Sequence, residues 1–298
     1  MANKPRITVA RPFIINELEK LRTNVFDANM LNDIFEANKD KWRLPLSMNL
    51  EGFMEALSHQ DFINYANLDF PGLPHRRIFF NPGASIYEIS ALAVPRAYLS
   101  HYSAVSLWGL TEQIPKTIYI TQEQSASPAK AEKGELSQQG IDAAFGKPQR
   151  QSETFVTLNE YKVILLRGKA TKNLGVGKLE ADDTNGVNIT DIERTLLDVV
   201  VRPSYAGGVF EVLKAFRNAN EQNSVSANRL SNYLSRIDYL YPYHQAIGFY
   251  LTAAGNYKES QIRIFKNIPQ LFDFYLAYDM QNMEYSKEWR IYYPKGMI

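Results

Sequence analysis

Residues 49–80 read NLEGFMEALSHQDFINYANLDFPGLPHRRIFF, in which a helix pattern is followed at once by a hairpin pattern. The helix pattern is an apolar residue at spacings i, i+3, i+4 and i+7, which predicts one buried face. Its members are Leu50, Phe53, Met54 and Leu57. The hairpin pattern is two apolar arms, at 62–68 and 76–80, joined by a link rich in Pro and Gly. We therefore predict a helix over 49–59 and an antiparallel hairpin after it.

Two further helices are predicted before this segment. One covers 13–21, with Pro12 placed where the first turn of a helix tolerates proline. The other carries an apolar stripe over 31–35 behind Asp27, a residue type that caps helix N-termini. The order helix, helix, loop, helix, hairpin is that of a winged helix-turn-helix, whose third helix lies in the major groove of DNA.

Candidate DNA contacts lie on and around the predicted third helix. Its outward face is acidic, and Glu can accept a hydrogen bond from cytosine N4. Basic residues before the helix and on the hairpin are placed to contact backbone phosphate, which fixes register rather than sequence. The predicted DNA-binding residues are Lys39, Lys41, Arg43, Ser47, Asn49, His59, Arg76 and Arg77. An N-terminal arm is predicted to hold Lys4, Arg6 and Arg11. The alternative on this pattern is a winged helix that makes only protein contacts.

The chain has 298 residues, with 33 Lys and Arg against 32 Asp and Glu and no cysteine. Its length indicates about two domains. Near-neutrality argues against a protein that coats nucleic acid through charge alone. The absence of cysteine excludes disulfides, thiolate zinc sites, Fe–S clusters and a cysteine nucleophile. Because no stretch resembles a signal peptide or a membrane helix, we expect a soluble cytoplasmic protein without membrane contact.

The remainder of the chain is predicted to mix strands and helices. Strands are expected at 117–121, 154–158, 161–167 and 187–189, with a tight turn at Asn159-Glu160. Helical stripes begin at Ile192, Val209, Leu230 and Ile247. The polar segment 122–152 is expected to be a surface loop. The fold class is therefore α+β, with a winged helix-turn-helix domain at 1–85, a linker, helical or extended, at 86–96, and a larger mixed α/β domain at 97–298. That domain is expected to hold a small sheet and several C-terminal helices.

One predicted helix start has the sequence of a capping box. Thr190 is the expected N-cap, and Glu193 is expected to reach back to its free amide. Arg194 and Asp198 follow at i, i+4, a pair that stabilises a helix by roughly 0.2–0.5 kcal/mol. Helix stability alone explains both features.

Residue patterns for catalysis are mostly missing. The histidines show no metal-binding spacing, and the phosphate-loop motif does not occur. Asp182-Asp183 lies in a polar stretch where solvation is the expected state. Ser100 stands beside His101, but adjacent residues seldom orient into a nucleophile–base pair. We predict no catalytic residues, no metal and no cofactor, and enzyme activity is not supported.

Two blocks carry a resemblance to a known family. Residues 99–121, LSHYSAVSLWGLTEQIPKTIYIT, hold a Ser-x-x-Ser-Ala helix start, a Leu-x-Gly-Leu turn, then Pro and a strand. Residues 189–198, ITDIERTLLD, are followed by Arg-Pro and Gly-Gly. With the winged-helix-like segment in front, the chain resembles the AbiEi family, the antitoxins of type IV toxin–antitoxin systems that act in abortive infection, a form of phage defence.

The resemblance implies a two-domain regulator. Such proteins bind inverted repeats in their own promoter through the N-terminal domain and repress the operon, an arrangement compatible with a dimer on double-stranded DNA. The C-terminal domain counters a nucleotidyltransferase toxin without forming a stable complex with it. The family offers no catalytic residues. The residues that match its pattern, for which an architectural role is expected, are Ser100, Ser103, Gly109, Glu193, Arg194 and Asp198.

Two other functions stay open at this point. One is a regulator whose C-terminal domain senses a small ligand. The other is a nucleotidyltransferase-like or nuclease enzyme, in which Asp182 or Asp183 would be needed for Mg²⁺-dependent turnover.

Overall fold

The structure is a computed structural model, and it describes residues 4–125, 135–179 and 186–298. These residues form an α+β fold with eleven α-helices and three β-sheets. The helices are α1 Arg6–Lys20, α2 Ala28–Asn38, α3 Leu50–His59, α4 Ile86–Leu92, α5 His101–Leu107, α6 Gln138–Phe145, α7 Ile192–Val201, α8 Val209–Glu221, α9 Ala227–Ile237, α10 Tyr243–Ala254 and α11 Glu259–Lys266. The strands are β1 Val25–Phe26, β2 Asn64–Leu68, β3 Arg76–Phe80, β4 Tyr98–Leu99, β5 Thr117–Glu123, β6 Phe155–Leu158, β7 Tyr161–Gly168, β8 Val176–Leu179, β9 Val187–Thr190, β10 Phe274–Tyr275, β11 Met283–Ser286 and β12 Ile291–Pro294.

The chain divides into two compact units. The first contains Met1–Ala97, Thr154–Val163 and Lys178–Asn188. The second contains Tyr98–Glu153, Ile164–Gly177 and Ile189–Ile298. In the described residues no helix is both long enough and apolar enough to cross a membrane.

Helix α1 begins earlier than the proline pattern predicts. It starts at Arg6, so Pro12 lies inside the helix rather than before its first turn, and the predicted start at Phe13 is wrong. The reason is packing, because four buried residues on one face continue through the proline: Ile7, Ala10, Ile14 and Leu18. Tertiary burial outweighs the loss of one backbone donor here.

Helices α2 and α3 and the hairpin form where the sequence predicts them. The Asp27 side chain accepts a hydrogen bond from the Met30 amide, and the Asn49 side chain accepts one from the Gly52 amide, so both helices have a capping residue. Phe53 and Leu57 of α3 are fully buried. Strands β2 and β3 pair antiparallel, and β1 pairs antiparallel with the other side of β3. The first unit therefore packs three helices and a three-stranded sheet around one core.

The segment after the hairpin is helical rather than extended. Ser85 caps α4 and Glu88 reaches back to the Ser85 amide, which is a complete capping box. The predicted linker at 86–96 is thus a helix over most of its length.

The larger sheet has the strand order β6-β7-β5-β4-β9-β8. Leu99 of β4 pairs antiparallel with Ile120 and parallel with Ile189. The tight turn predicted at Asn159-Glu160 is confirmed between β6 and β7, and Asn159 adopts the left-handed conformation that Asn tolerates. In the second unit, the helical layer contributes most of the large buried core.

Two parts of the second unit differ from the sequence expectations. The segment 122–152 was expected to be a loop, yet its described part includes α6, which buries Ile141 and Phe145 in the core. Its N-terminus is capped by Ser137, whose side chain accepts from the Gly140 amide. The second difference is a small mixed sheet, β10-β12-β11, that no alternation pattern indicated.

Candidate functional site

The first group of predicted site residues lies on the first unit. One groove brings α3 and the hairpin together, because Glu51 and Met54 line it with His75, Arg76 and Arg77. The start of α2 contributes the remaining wall. This groove therefore joins the acidic face of α3 to a basic strand of the hairpin.

The hairpin arginines are held by neighbours within the first unit. Arg76 Nη2 donates to Oδ2 of Asp27 at 3.3 Å, and the other oxygen of Asp27 caps α2. Arg76 Nε is buried without a partner among the described residues. Arg77 donates to Asn67 at 3.2 Å and lies 5.0 Å from the centre of the Tyr65 ring. Arg77 is therefore the more available of the two for a phosphate.

The other predicted DNA contacts have different surroundings. Lys39 pairs with Glu36 at 2.7 Å, and this contact raises its pKa above the ordinary value. Lys41, Arg43 and Ser47 are exposed in the connection before α3 and have no side-chain partner in the part of the chain that the structure describes. These four residues do not line the groove.

Asn49 and His59 mark the two ends of α3. Asn49 uses its side-chain oxygen to cap the helix, and its amide hydrogens remain available for another partner. His59 is exposed in the last turn. The predicted N-terminal arm is wrong for Arg6 and Arg11, because both residues belong to α1. Arg11 lies 4.6 Å from the centre of the Phe62 ring.

The second group of predicted residues forms a buried polar cluster in the second unit. Arg194 and Asp198 make the predicted i, i+4 pair, with 2.8 Å between Arg194 Nε and Asp198 Oδ1. Their side chains are only 4% and 7% exposed, so this is a buried ion pair rather than a surface pair of a helix. Burial raises the pKa of Asp198, and the guanidinium of Arg194 opposes that rise.

A loop supplies the remaining partners of Arg194. Its Nη1 donates to the Leu174 carbonyl at 2.6 Å and to the Thr171 hydroxyl at 3.3 Å. The loop is held by Glu123 of β5, whose carboxylate accepts from the Thr171 amide at 2.8 Å and also from the Thr171 hydroxyl. Gly175 lies so close that an added Cβ would be 2.7 Å from Arg194 Cβ, and its φ of +72° favours glycine as well.

Ser100 and His101 are oriented toward each other, contrary to the sequence expectation. Ser100 Oγ lies 2.9 Å from His101 Nδ1 and 2.7 Å from Thr121 Oγ1, with all three residues buried. The contact is reached because His101 adopts a φ of +51°, which costs a non-glycine residue of order 1–3 kcal/mol. Burial, with the nearby guanidinium groups of Arg202 and Arg194, holds the pKa of His101 well below its ordinary value. The histidine is therefore neutral.

The capping box predicted at Thr190 is wrong. Asp191 is the N-cap of α7, and its side chain accepts from the Arg194 amide at 2.8 Å. Glu193 instead accepts from the Ser226 amide at 2.7 Å and pairs with Arg229. Thr190 turns inward to the Thr195 hydroxyl at 2.7 Å. Because Asp191 offers a carboxylate one residue later, the helix begins there.

Two further motif residues support the chain around α5. Ser103 is buried and its Oγ accepts from the Tyr119 amide at 2.7 Å, which joins α5 to β5. Gly109 has a φ of +65° just after α5, and its carbonyl accepts from Gln222. Both residues hold secondary-structure elements together.

Residue patterns gave no signal for three other members of the polar cluster. Lys169, Arg202 and Tyr239 line the same cavity as His101, Arg194 and Asp198. They come from three separate segments of the chain, so no spacing rule could have grouped them. The one available signal was the Arg-Pro pair at 202–203, which the family resemblance marked without assigning a role.

Within the described ranges, no group of three or more His, Asp or Glu residues could hold a metal ion. Asp182 and Asp183 lie outside the described residues. Neither a protein-family model nor a curated protein matches the chain. Two features of the described residues bear on function: a groove beside α3 in the first unit, and a buried ion pair beside a cavity in the second.

Proposed function

We propose that the chain is a DNA-binding transcriptional autorepressor and the antitoxin of a type IV toxin–antitoxin system. The observation that carries the DNA-binding part is the groove shared by α3 and the hairpin of the first unit. In a winged helix-turn-helix, the third helix enters the major groove and the hairpin contacts the adjacent backbone. Helices α1, α2 and α3 followed by β2 and β3 supply these elements in that order.

The chemistry of the groove supports readout by a few contacts. Glu51 and Glu55 are exposed on α3 and are suited to accept hydrogen bonds from cytosine N4. Arg77 on the hairpin and Lys41 before α3 are suited to phosphates. The negative charges of Glu and phosphate repel each other, so binding is disfavoured on DNA that has no cytosine opposite these carboxylates. Acidic side chains on α3 therefore increase sequence selectivity at the expense of affinity.

A gel-shift titration tests the repressor part of the proposal. The probe is duplex DNA from upstream of the chain's own gene, compared with a shuffled duplex of the same length. We expect tighter binding to an inverted repeat than to the shuffled duplex. Equal affinity for the two duplexes would overturn the assignment.

Single substitutions then locate the contacts. Lys41→Gln and Arg77→Gln should each weaken binding on both duplexes and reduce the slope of log affinity against log salt by about 0.9, because one phosphate contact is lost. The matched control is Lys20→Gln, which removes an exposed cation at the end of α1 that is not among the proposed DNA contacts. Unchanged slopes in the two test variants would show that these side chains do not contact phosphate.

The antitoxin part rests on the family resemblance and has its own test. Co-expression with the nucleotidyltransferase toxin from the same operon should restore growth, while affinity capture of the tagged chain should recover no toxin. Failure to restore growth would remove the antitoxin role and leave the repressor role standing.

A second candidate function, a regulator that senses a small ligand, is favoured by one observation. The cavity beside Arg194 and Asp198 is lined by several polar side chains that α-helix stability does not require. The nature of that cavity decides which ligand is expected.

A further inference from the structure

A cavity of about 80 Å³ lies in the second unit beside the buried Arg194–Asp198 pair. Since a water molecule needs roughly 10–15 Å³ of such space, the cavity has room for several waters or for one tetrahedral oxyanion. Its lining includes three cationic side chains, Lys169, Arg194 and Arg202, and one carboxylate, Asp198. The wall therefore carries more positive than negative charge.

Arg202 is the cation whose donors are unused. Its guanidinium is half-buried and makes no hydrogen bond or ion pair with any residue that the structure describes. It lies 6.0 Å from the centre of the Tyr205 ring and close enough to His101 and Asp198 to influence their pKa values. Arg194, by contrast, already donates to Asp198 and Leu174. A planar guanidinium with free N–H groups at a cavity wall is suited to bind an oxyanion through two parallel hydrogen bonds.

Neutral donors stand around the same cavity. The Tyr239 hydroxyl has no hydrogen-bond partner among the described residues, and burial raises its pKa, which keeps the proton on the oxygen. His101 uses Nδ1 for Ser100, which leaves Nε2 as its unused ring nitrogen. When Ser100 donates to Nδ1, the ring hydrogen of His101 lies on Nε2. This N–H is then a further donor beside Arg202 and the Tyr239 hydroxyl.

Lys169 is fixed in position by the backbone. Its ammonium donates to the Ile237 carbonyl at 2.6 Å and to the Asp238 carbonyl at 2.8 Å, just before Tyr239. These bonds tie the end of β7 to the end of α9 and place a positive charge on the cavity wall.

We propose that this cavity binds one phosphoryl group, held by Arg202 and by the Tyr239 hydroxyl. The charge of Asp198 does not repel the ligand strongly, because Arg194 pairs with it at 2.8 Å. Lys169 and Arg194 add favourable charge at longer range. The inference does not depend on DNA binding, and its ligand is either free phosphate or a small phosphomonoester.

Isothermal titration calorimetry of the full chain tests the site, with inorganic phosphate as the probe and ionic strength held constant with chloride. We expect one binding site per chain. Arg202→Gln should weaken binding at least about tenfold, since it removes charge-assisted hydrogen bonds. Tyr239→Phe should weaken it less, because it removes a single hydroxyl. The matched control is Arg263→Gln, an exposed arginine of α11 outside the cavity, which should bind like the unmodified chain.

Each outcome has a defined meaning. The proposal is overturned if phosphate binds with the same affinity to the unmodified chain, Arg202→Gln and Tyr239→Phe. It is also overturned if phosphate does not bind the unmodified chain at all. Thermal unfolding in phosphate-free buffer shows whether the variants fold. If Arg202→Gln does not fold, the comparison of Tyr239→Phe with the unmodified chain still tests the site. A parallel titration with a nucleoside 5′-monophosphate separates the sources: tighter binding than inorganic phosphate identifies a phosphomonoester, and weaker binding identifies the free ion.

Discussion

At the scale of single residues, the Arg194–Asp198 pair shows how burial changes the meaning of a motif. The same i, i+4 spacing on a helix surface contributes little, because water screens both charges. Here both side chains are almost fully enclosed, and each group is the main compensation for the other. Losing one partner leaves an uncompensated charge, whereas losing both does not.

We predict that Arg194→Met lowers the free energy of unfolding by about 3–5 kcal/mol, because it leaves the Asp198 carboxyl buried without its partner. The double variant Arg194→Met/Asp198→Leu should recover most of that loss. Urea unfolding followed by circular dichroism measures both. The exposed pair offers a control, since Lys266→Met at the contact with Glu288 should leave stability unchanged. A double variant as unstable as the single one would contradict the electrostatic explanation.

His101 gives a prediction about pH. Its pKa is depressed in the folded chain, so below about pH 6.5 the unfolded chain binds a proton that the folded chain excludes. Stability should therefore be constant above that pH and fall below it, by up to about 1.4 kcal/mol per pH unit. The facing charges, Arg194 and Arg202, stay cationic throughout this range and add to the effect.

The measurement is the free energy of unfolding from about pH 8 to about pH 5, for the chain and for His101→Gln. The variant should lose part of the slope, and His244, whose pKa burial also lowers, should contribute to what remains. An unchanged slope in His101→Gln would show that this imidazole is not kept neutral by the fold.

At the scale of elements, close packing restricts which residue can stand at position 248 of α10. Helix α10 approaches the C-terminal sheet through Gly248, where an added Cβ would lie 2.1 Å from the Trp289 ring. Trp289 is 1% exposed and cannot move into solvent without opening the core. Its indole nitrogen also donates to Thr252 at 3.1 Å, one turn further along α10.

Gly248→Ala should therefore destabilise the chain by about 1–3 kcal/mol or more, even though alanine favours a helix over glycine. The midpoint of thermal unfolding measures the change. Gly177→Ala is the matched control, because an added Cβ there meets nothing within 4 Å. If Gly248→Ala were neutral or stabilising, the close contact between α10 and Trp289 would not be a constraint on the fold.

Elements with a strong local pattern are the ones that sequence reasoning placed well. The stripes of α2, α3 and α7 to α10 each repeat along a buried face, and local capping residues mark several of their starts. Helix α6 is short and buries only Ile141 and Phe145, so its pattern could not be separated from that of a loop. The two-residue strands β1, β4 and β10 exist because a partner strand lies beside them, which no local pattern records.

The candidate sites divide in the same way. Arg194 and Asp198 are four residues apart on one helix, so their pairing was predictable, but their burial depends on β5, β7 and the 171–175 loop. The cavity residues Lys169, Arg202 and Tyr239 come together only through the tertiary fold. Long-range contacts of this kind leave no periodic trace in a sequence.

At the scale of the whole molecule, a net charge of +1 limits how the chain can meet nucleic acid. Binding that depends only on charge needs several phosphate contacts at once, and each contact adds to the salt dependence. In the first unit, Arg76 and Lys39 already have carboxylate partners. Each of these pairs lowers the number of cations available for unspecific binding.

We predict weak affinity for random duplex DNA, with a salt slope that corresponds to only a few phosphates, and loss of measurable binding near physiological salt, about 0.15 M. Fluorescence anisotropy with a labelled random duplex over a salt series measures the slope. The inverted-repeat duplex in the same series should retain binding. A steep salt slope on random DNA, of the size that many phosphate contacts produce, would contradict the proposal that the chain makes only a few phosphate contacts.

The Gln245 amide has a consequence for how the chain is made. Its Nε2 donates to the carbonyls of Phe272, Trp289 and Arg290, and all three acceptors are synthesised after the helix that carries the donor. Until that stretch has been translated, the Gln245 amide lacks these three acceptors and Gly248 lacks the Trp289 ring that packs against it. Domains fold as units once their sequence has emerged, so the second unit completes its core only near the end of translation. Truncation before residue 289 should therefore leave the core of the second unit incomplete, and we expect the cell's proteases to degrade the product.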